Sequence, residues 1–180
     1  PLLPWHGQPL VAYQVQQLRA AGAVEVVVVV GHAAGDVRPV AQAAGGVVVE
    51  NPEYRQGRAG SVRRGAMALP DDTGAIVTLN VDQPRPAWLI RRVLDAHLGG
   101  DAPITTPEYG GRRGHPAVFA GTLLPELRAV SDATEGLRAV VRRYADRRRF
   151  VPIDDPIVTL EFNTRAEYET ALETAGAEQR

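Results

Sequence analysis

A run of β-branched and apolar residues that stops at a carboxylate, Ala75–Val81 followed by Asp82-Gln83-Pro84, constrains this chain more than any other stretch. It has the length of one buried strand, and Pro84 prevents the strand from continuing. A second, valine-rich run, Val24–Val30, reads as a strand buried on both faces and closes on Gly31-His32. Between these runs lie stretches with apolar residues at helical spacing. Such alternation gives βαβ units, right-handed crossovers and a mostly parallel sheet. In sheets of this kind ligands bind beyond the carboxyl ends of the strands. Asp82 therefore stands where a ligand site is expected, and a carboxylate there suits Mg²⁺, which takes one or two carboxylates plus substrate phosphates and water. The same residue also suits a turn or helix cap.

Taken in order, Pro1–Pro9 is rich in Pro and Gly and reads as loop. Helical stripes cover 10–21, 36–44, 61–68, 87–98, 123–130 and 137–147, and short strands 47–49, 104–106, 117–120, 150–153 and 157–162. Thr164 with Glu167 three residues on forms a capping box for a last helix to Ala175, and Gly176 onward reads as a frayed tail. The later half is less regular and leaves room for an antiparallel strand. The first helix has no strand before it, although the first strand of a doubly wound sheet is normally central. The pattern thus predicts one more strand and a loop upstream of Pro1.

Composition narrows the chemistry. One domain spanning all 180 residues can bury a sizeable core. A net charge of −1 gives no general attraction to nucleic acid or anionic membrane. No apolar run is long enough to span a bilayer, so a cytoplasmic enzyme or binding domain is the default. The absence of Cys excludes disulfides, thiolate catalysis and Cys-ligated zinc. All 20 basic residues are Arg, which excludes a catalytic lysine within these residues.

Four motifs carry candidate chemistry. Asp82, with Gln83 and Pro84, would hold a metal on a nucleotide phosphate, where transfer depends on positioning and electrostatics. In Gly110-Gly-Arg-Arg-Gly-His-Pro116, the glycines, Gly114 among them, allow positive φ and close approach to a ligand. Arg112, Arg113 and His115 can donate to phosphate or to carbonyl and amide edges there. In Gly57-Arg-Ala-Gly-Ser61, Gly60 and Ser61 sit at a helix start whose free N–H groups favour an anion. In Glu161-Phe-Asn-Thr164, Glu161 and Asn163 would share one face of an extended strand and could supply further oxygens to a metal held by Asp82. Asp154-Asp155-Pro156 reads as a turn, and His6, His32 and His97 carry no assigned role.

These motifs, in this order, resemble the molybdenum-cofactor nucleotidyltransferases (MobA-like NTP transferases), particularly the cytidylyltransferase branch. Pro1–Leu10 is similar to the segment after the family's nucleotide loop and Gly57–Gly65 to its Gly/Ser substrate loop. Val81–Pro84 is similar to its metal-binding strand end, Gly111–Pro116 to its G-x-x-G-H-P loop, and Leu160–Arg165 to its D-x-D-T-P element. The resemblance implies a Rossmann-like three-layer α/β/α nucleotidyltransferase fold, a mostly parallel sheet, and a first strand and nucleotide loop missing from this chain. It implies Mg²⁺ as cofactor and CTP or GTP as donor, with transfer of CMP from CTP to molybdopterin and release of pyrophosphate. A molybdoenzyme or its chaperone would be a further partner. Asp82 would hold the metal with Asn163 or Glu161 assisting. Gly57, Gly60, Ser61, Gln83, Pro84, Arg112, Arg113, Gly114 and His115 would contact nucleotide or pterin. The family's opening loop, with its lysine, is absent, and its D-x-D-T-P element here reads Glu161-Phe162-Asn163-Thr164-Arg165, with an amide for one carboxylate. A different phosphorylated acceptor, such as a sugar phosphate, and a non-catalytic nucleotide- or cofactor-binding homologue are the other readings.

Overall fold

A computed structural model of the chain describes residues 1–177. The Asp82 region is built by strand β5 (Ala75–Thr78), which pairs antiparallel with β8 (Ala117–Ala120); β8 in turn pairs antiparallel with β6 (Ile104–Tyr109). On the other edge of β6 lies parallel β9 (Arg149–Pro152), and β6 turns at Gly110-Gly111, both with positive φ, into short β7 (Arg112–Arg113). β5, β6 and β9 therefore share one direction, with β8 and short β7 reversed. A parallel pair, β3 (Val27–Val30) and β4 (Val47–Glu50), forms a separate sheet.

Side-chain alternation shows how both sheets are covered. Val28 and Val30 of β3 pack with Val11 of α1 (Leu10–Ala20) and with Val37 and Ala41 of α2 (Ala34–Ala43). Val29, pointing oppositely, lies against Gly65 of α3 (Ala59–Met67). Likewise Ala75 and Val77 of β5 pack with Leu89 and Val93 of α4 (Ala87–Leu98). Ile76 joins Phe119 and Ala66 of α3, together with Leu124 and Leu127 of α5 (Leu124–Arg128) and Val140 of α6 (Leu137–Arg143). Helices thus cover both faces, giving an α/β/α fold. α3 spans both sheets on one side, yet β3 and β5 do not hydrogen-bond to one another.

Several expectations change. Pro1–Pro9 is not plain loop: β1 (Pro4–Trp5) and β2 (Gln8–Pro9) pair around His6-Gly7, both at positive φ. The strand expected over Val24–Val30 begins only at Val27, where β4 supplies a partner, and Val24 is exposed. The strand expected over Ile157–Phe162 does not form. Asp155 Oδ1 accepts from the Ile157 N–H at 2.8 Å, Pro156 follows at the first helical position, and residues Pro156–Thr159 close into a 3₁₀ turn. The capping box does form: the Glu167 N–H donates to Thr164 Oγ1 at 3.2 Å and the Thr164 N–H to Glu167 Oε2 at 2.9 Å, starting α7 (Arg165–Ala177). Of the tail expected from Gly176, residues 178–180 lie outside the described residues.

Candidate active site

Asp82 does not end the strand as the sequence suggests. β5 stops at Thr78, and Asp82 lies in a turn in which the Gln83 N–H donates to Asn80 O at 3.2 Å. Gln14, a buried residue of α1, holds that turn. Its Nε2 donates to Asn80 O (3.0 Å) and Gln83 O (2.9 Å), and its Oε1 accepts from the Arg85 N–H (3.3 Å). A buried amide bonded at both ends fixes its neighbours, because losing either partner would leave a desolvated polar group. The Phe162 N–H donates to Asp82 O at 3.2 Å, which brings the Glu161 segment to the turn.

The polar side chains then form a chain across the site. Arg58 donates to Asn80 Oδ1 (2.8 Å), Asn80 Nδ2 to Gln83 Oε1 (2.9 Å), and Gln83 Nε2 to Glu161 Oε2 (3.0 Å). Both Asp82 and Glu161 act electrostatically on Arg85 and on His115, so the two carboxylates share one neighbourhood. Burial, then the charges of Arg85 and Arg58, push the His115 pKa down against the opposing pull of Glu161 and Asp82. His115 is thus held neutral near neutral pH, with Nδ1 buried and without a hydrogen-bond partner.

Of the residues singled out in the sequence, Asp82, Gln83, Glu161, His115 and the carbonyl of Pro84 come together. Gly114 sits where a Cβ would overlap the carbonyl of Val158, so glycine is required for that segment to close on the site. In the Gly57–Ser61 loop the Ser61 N–H donates to Arg58 O at 3.1 Å. The Ala59 N–H donates to the Asp132 carboxylate at 3.2 and 3.3 Å, and Ser61 Oγ accepts from Asn51 at 3.0 Å. The loop reaches the Asp82 turn through Arg58 instead. Arg113 lies over the Phe150 ring, 4.8 Å from its centroid, and Arg112 is exposed. Asn163 lies at the start of α7 with its N–H on Glu167 Oε2 at 2.7 Å, and it does not share a strand face with Glu161. Gln14, Arg58, Asn80 and Arg85 complete the site without having been singled out. Only Arg85, a lone charge between Pro84 and Pro86 ahead of an apolar helix, carries a local signal.

A divalent cation fits Asp82 and Glu161 in one respect: two carboxylates beside a buried cation keep a net negative charge, and a hard metal with substrate phosphates needs only one or two. Among the described residues no three His, Cys, Asp or Glu side chains assemble into a complete protein cage. Any metal here would therefore complete its coordination with water or substrate oxygens.

Helices on both faces of a sheet in which β5, β6 and β9 run one way, with the Asp82 turn beyond the end of β5, define an α/β protein with its ligand site at the strand ends. The particular family follows from residues 1–148, which match the MobA-like NTP transferase domain; the chain belongs to that family. The chain is 36% identical over 104 residues to the bifunctional protein GlmU of Geobacter metallireducens, a match covering 57% of this chain and 22% of that protein. It is 29% identical over 150 residues to the nicotine blue oxidoreductase of Paenarthrobacter nicotinovorans, covering 79% and 72% respectively. Among solved structures, Rv0371C of Mycobacterium tuberculosis H37Rv complexed with manganese superposes with a TM-score of 0.80 at 26% identity, covering 96% of this chain and 90% of that one. This chain thus spans under a quarter of the GlmU protein that it matches.

Proposed function

We propose that the protein is a Mg²⁺-dependent nucleotidyltransferase that transfers CMP from CTP to molybdopterin and releases pyrophosphate. The observation that carries the reading is the joining of Asp82 and Glu161, through Gln83 and the Phe162 N–H, beyond the strand ends. The manganese complex of the Mycobacterium tuberculosis relative supports a divalent metal in this fold. In the proposed site Asp82 and Glu161 hold the cation, which supplies Lewis-acid stabilisation of the phosphates. Arg58, Arg112 and His115 face the substrates, and the exposed side chain of Asn163, at the start of α7, offers a further oxygen. An oxygen of the acceptor phosphate attacks the α-phosphorus in line, the bond to the bridging oxygen of the β-phosphate breaks, and pyrophosphate leaves with that bridging oxygen. No covalent enzyme intermediate is needed.

The likeness to a protein named an oxidoreductase favours a second reading, a cofactor-binding homologue without transferase turnover. Pyrophosphate release by the protein in its native length, with Mg²⁺, molybdopterin and CTP or GTP, separates the two. Release with CTP that falls by at least about a thousandfold in Asp82→Ala is expected, the scale of a lost transition-state charge partner. Release with GTP alone moves the base assignment. Nucleotide binding without release moves the reading to a different phosphorylated acceptor or to the cofactor-binding homologue.

A further inference from the structure

Arg85 is one of the most completely buried side chains in the molecule, 1% exposed. Its Nε donates to His115 O, Nη1 to Pro84 O and Nη2 to Val158 O, each at 2.9 Å. These carbonyls belong to three separate segments, and each segment carries a residue of the site. Pro84 follows the Asp82 turn, His115 faces the carboxylates, and Val158 precedes Glu161. Val158 O also accepts from the His115 N–H at 3.3 Å. Burial lowers the Arg85 pKa to about 10, with Glu161, Asp82 and Tyr13 holding it up, so the group stays charged at neutral pH. Three carbonyls could be satisfied by neutral donors. A buried permanent cation carries a desolvation cost that hydrogen bonds to carbonyls do not explain; its field on Asp82 and Glu161 does.

We propose that Arg85 is the positioning residue of this site: its guanidinium fork fixes the Asp82 turn, the Gly-His-Pro loop and the Glu161 segment against one another, and its fixed charge offsets the two carboxylates where a divalent cation would bind. The proposal rests on reading Asp82 and Glu161 as the metal side of the site. Lysine cannot replace the fork, because an ammonium is a compact point charge that cannot reach three diverging carbonyls together.

The test measures Mn²⁺ binding, by electron paramagnetic resonance without nucleotide, alongside pyrophosphate release, for the unaltered protein, Arg85→Lys and Arg85→Met. Removing the cation leaves two uncompensated carboxylates, so Arg85→Met should bind Mn²⁺ about three- to tenfold tighter. Arg85→Lys, which keeps the charge, should stay within about twofold of the unaltered protein yet lose at least about tenfold in kcat, with KM for the nucleotide little changed. A merely structural arginine would lower stability and leave Mn²⁺ affinity where it was. Equal Mn²⁺ affinity in the unaltered protein and Arg85→Met, or no Mn²⁺ binding by the unaltered protein, overturns the proposal. Should Arg85→Met fail to fold, Arg85→Gln keeps two amide donors for the carbonyls and carries the same comparison. If Mn²⁺ affinity shifts as expected but no nucleoside triphosphate yields pyrophosphate, the role of Arg85 stands and the transferase reading falls.

Discussion

The two glycine-rich loops look interchangeable in sequence, but what presses on their glycines differs. At Gly57 and Gly60 the neighbours are side chains: the Asp132 carboxylate at the first and the Asn51 amide, 3.3 Å from an added Cβ, at the second. At Gly114 the neighbour is main chain: a Cβ would overlap Val158 O and fall 2.7 Å from its carbonyl carbon. At Gly60 the amide 3.3 Å away need shift only slightly, whereas a main-chain carbonyl already bonded to Arg85 and His115 cannot move without releasing both. The Gly57 loop is thus a wall lined by side chains, and the Gly114 loop is locked to the site by main chain.

Gly114→Ala should break the second loop outright. Forcing a methyl into this contact costs about 3 kcal/mol or more, at the upper end of overpacking, and detaches His115 from Arg85. Urea unfolding checks the stability, and pyrophosphate release should fall with it. Gly60→Ala provides the contrast. It lies in the first turn of α3, its added Cβ would stand 3.3 Å from the Asn51 amide, a contact that a small shift relieves, and it replaces glycine by the best helix former, so its change should stay within about 1 kcal/mol of zero. Equal damage from both would show that the Gly114 segment has slack that the packing does not suggest.

A smaller effect is expected at Asp132. α3 has no side-chain cap from its own N-cap residue, Arg58. The Asp132 carboxylate supplies that cap from a distant turn, through the Ala59 N–H. Asp132→Ala should therefore cost about 1 kcal/mol, the usual loss for a capping acceptor, and leave Mn²⁺ binding unaltered. A change in Mn²⁺ affinity would instead couple this wall to the Asp82 turn through Arg58.

How much of this was legible depended on whether the deciding interaction was local. The helix over Ala87–Leu98 and the strand over Ala117–Ala120 followed from apolar periodicity, which their packing against both sheet faces rewards. The supposed strand over 157–162 failed because one short bond, Asp155 to the Ile157 N–H, outweighed a β-branched run that had no partner strand. Pro4 and Pro9 hid the first hairpin, since prolines in strands survive only at edges. In the site, Asp82, Gln83 and Glu161 were visible as polar residues at the ends of apolar runs. Gln14 and Arg58 were not, because they act on Asn80 from 66 and 22 residues away and nothing in their own neighbourhoods marks them.

The last contrast is between two differently partnered histidines, His115 half-buried and His97 buried. His115 sits among charges, with its Nδ1 unpaired. His97, 5% exposed on α4, has Nδ1 2.9 Å from Thr105 Oγ1, and burial lowers its pKa. A group whose folded pKa lies below its unfolded value takes up a proton first in the unfolded chain. Its stability contribution is complete above the unfolded value, near 6.5, and is lost as pH falls from there toward the folded value. His115 shifts in the same direction and adds to the same slope, so the comparison must be by difference. His97→Gln keeps a donor for Thr105 but cannot titrate. Its unfolding midpoint should be lower than that of the unaltered protein at pH 7.5, and the gap should narrow as the pH falls to 5.5. Parallel curves would mean that His97 binds its proton equally well in both states and that the Thr105 bond tolerates an imidazolium. His115, not the helix face, would then carry the acid sensitivity of the fold.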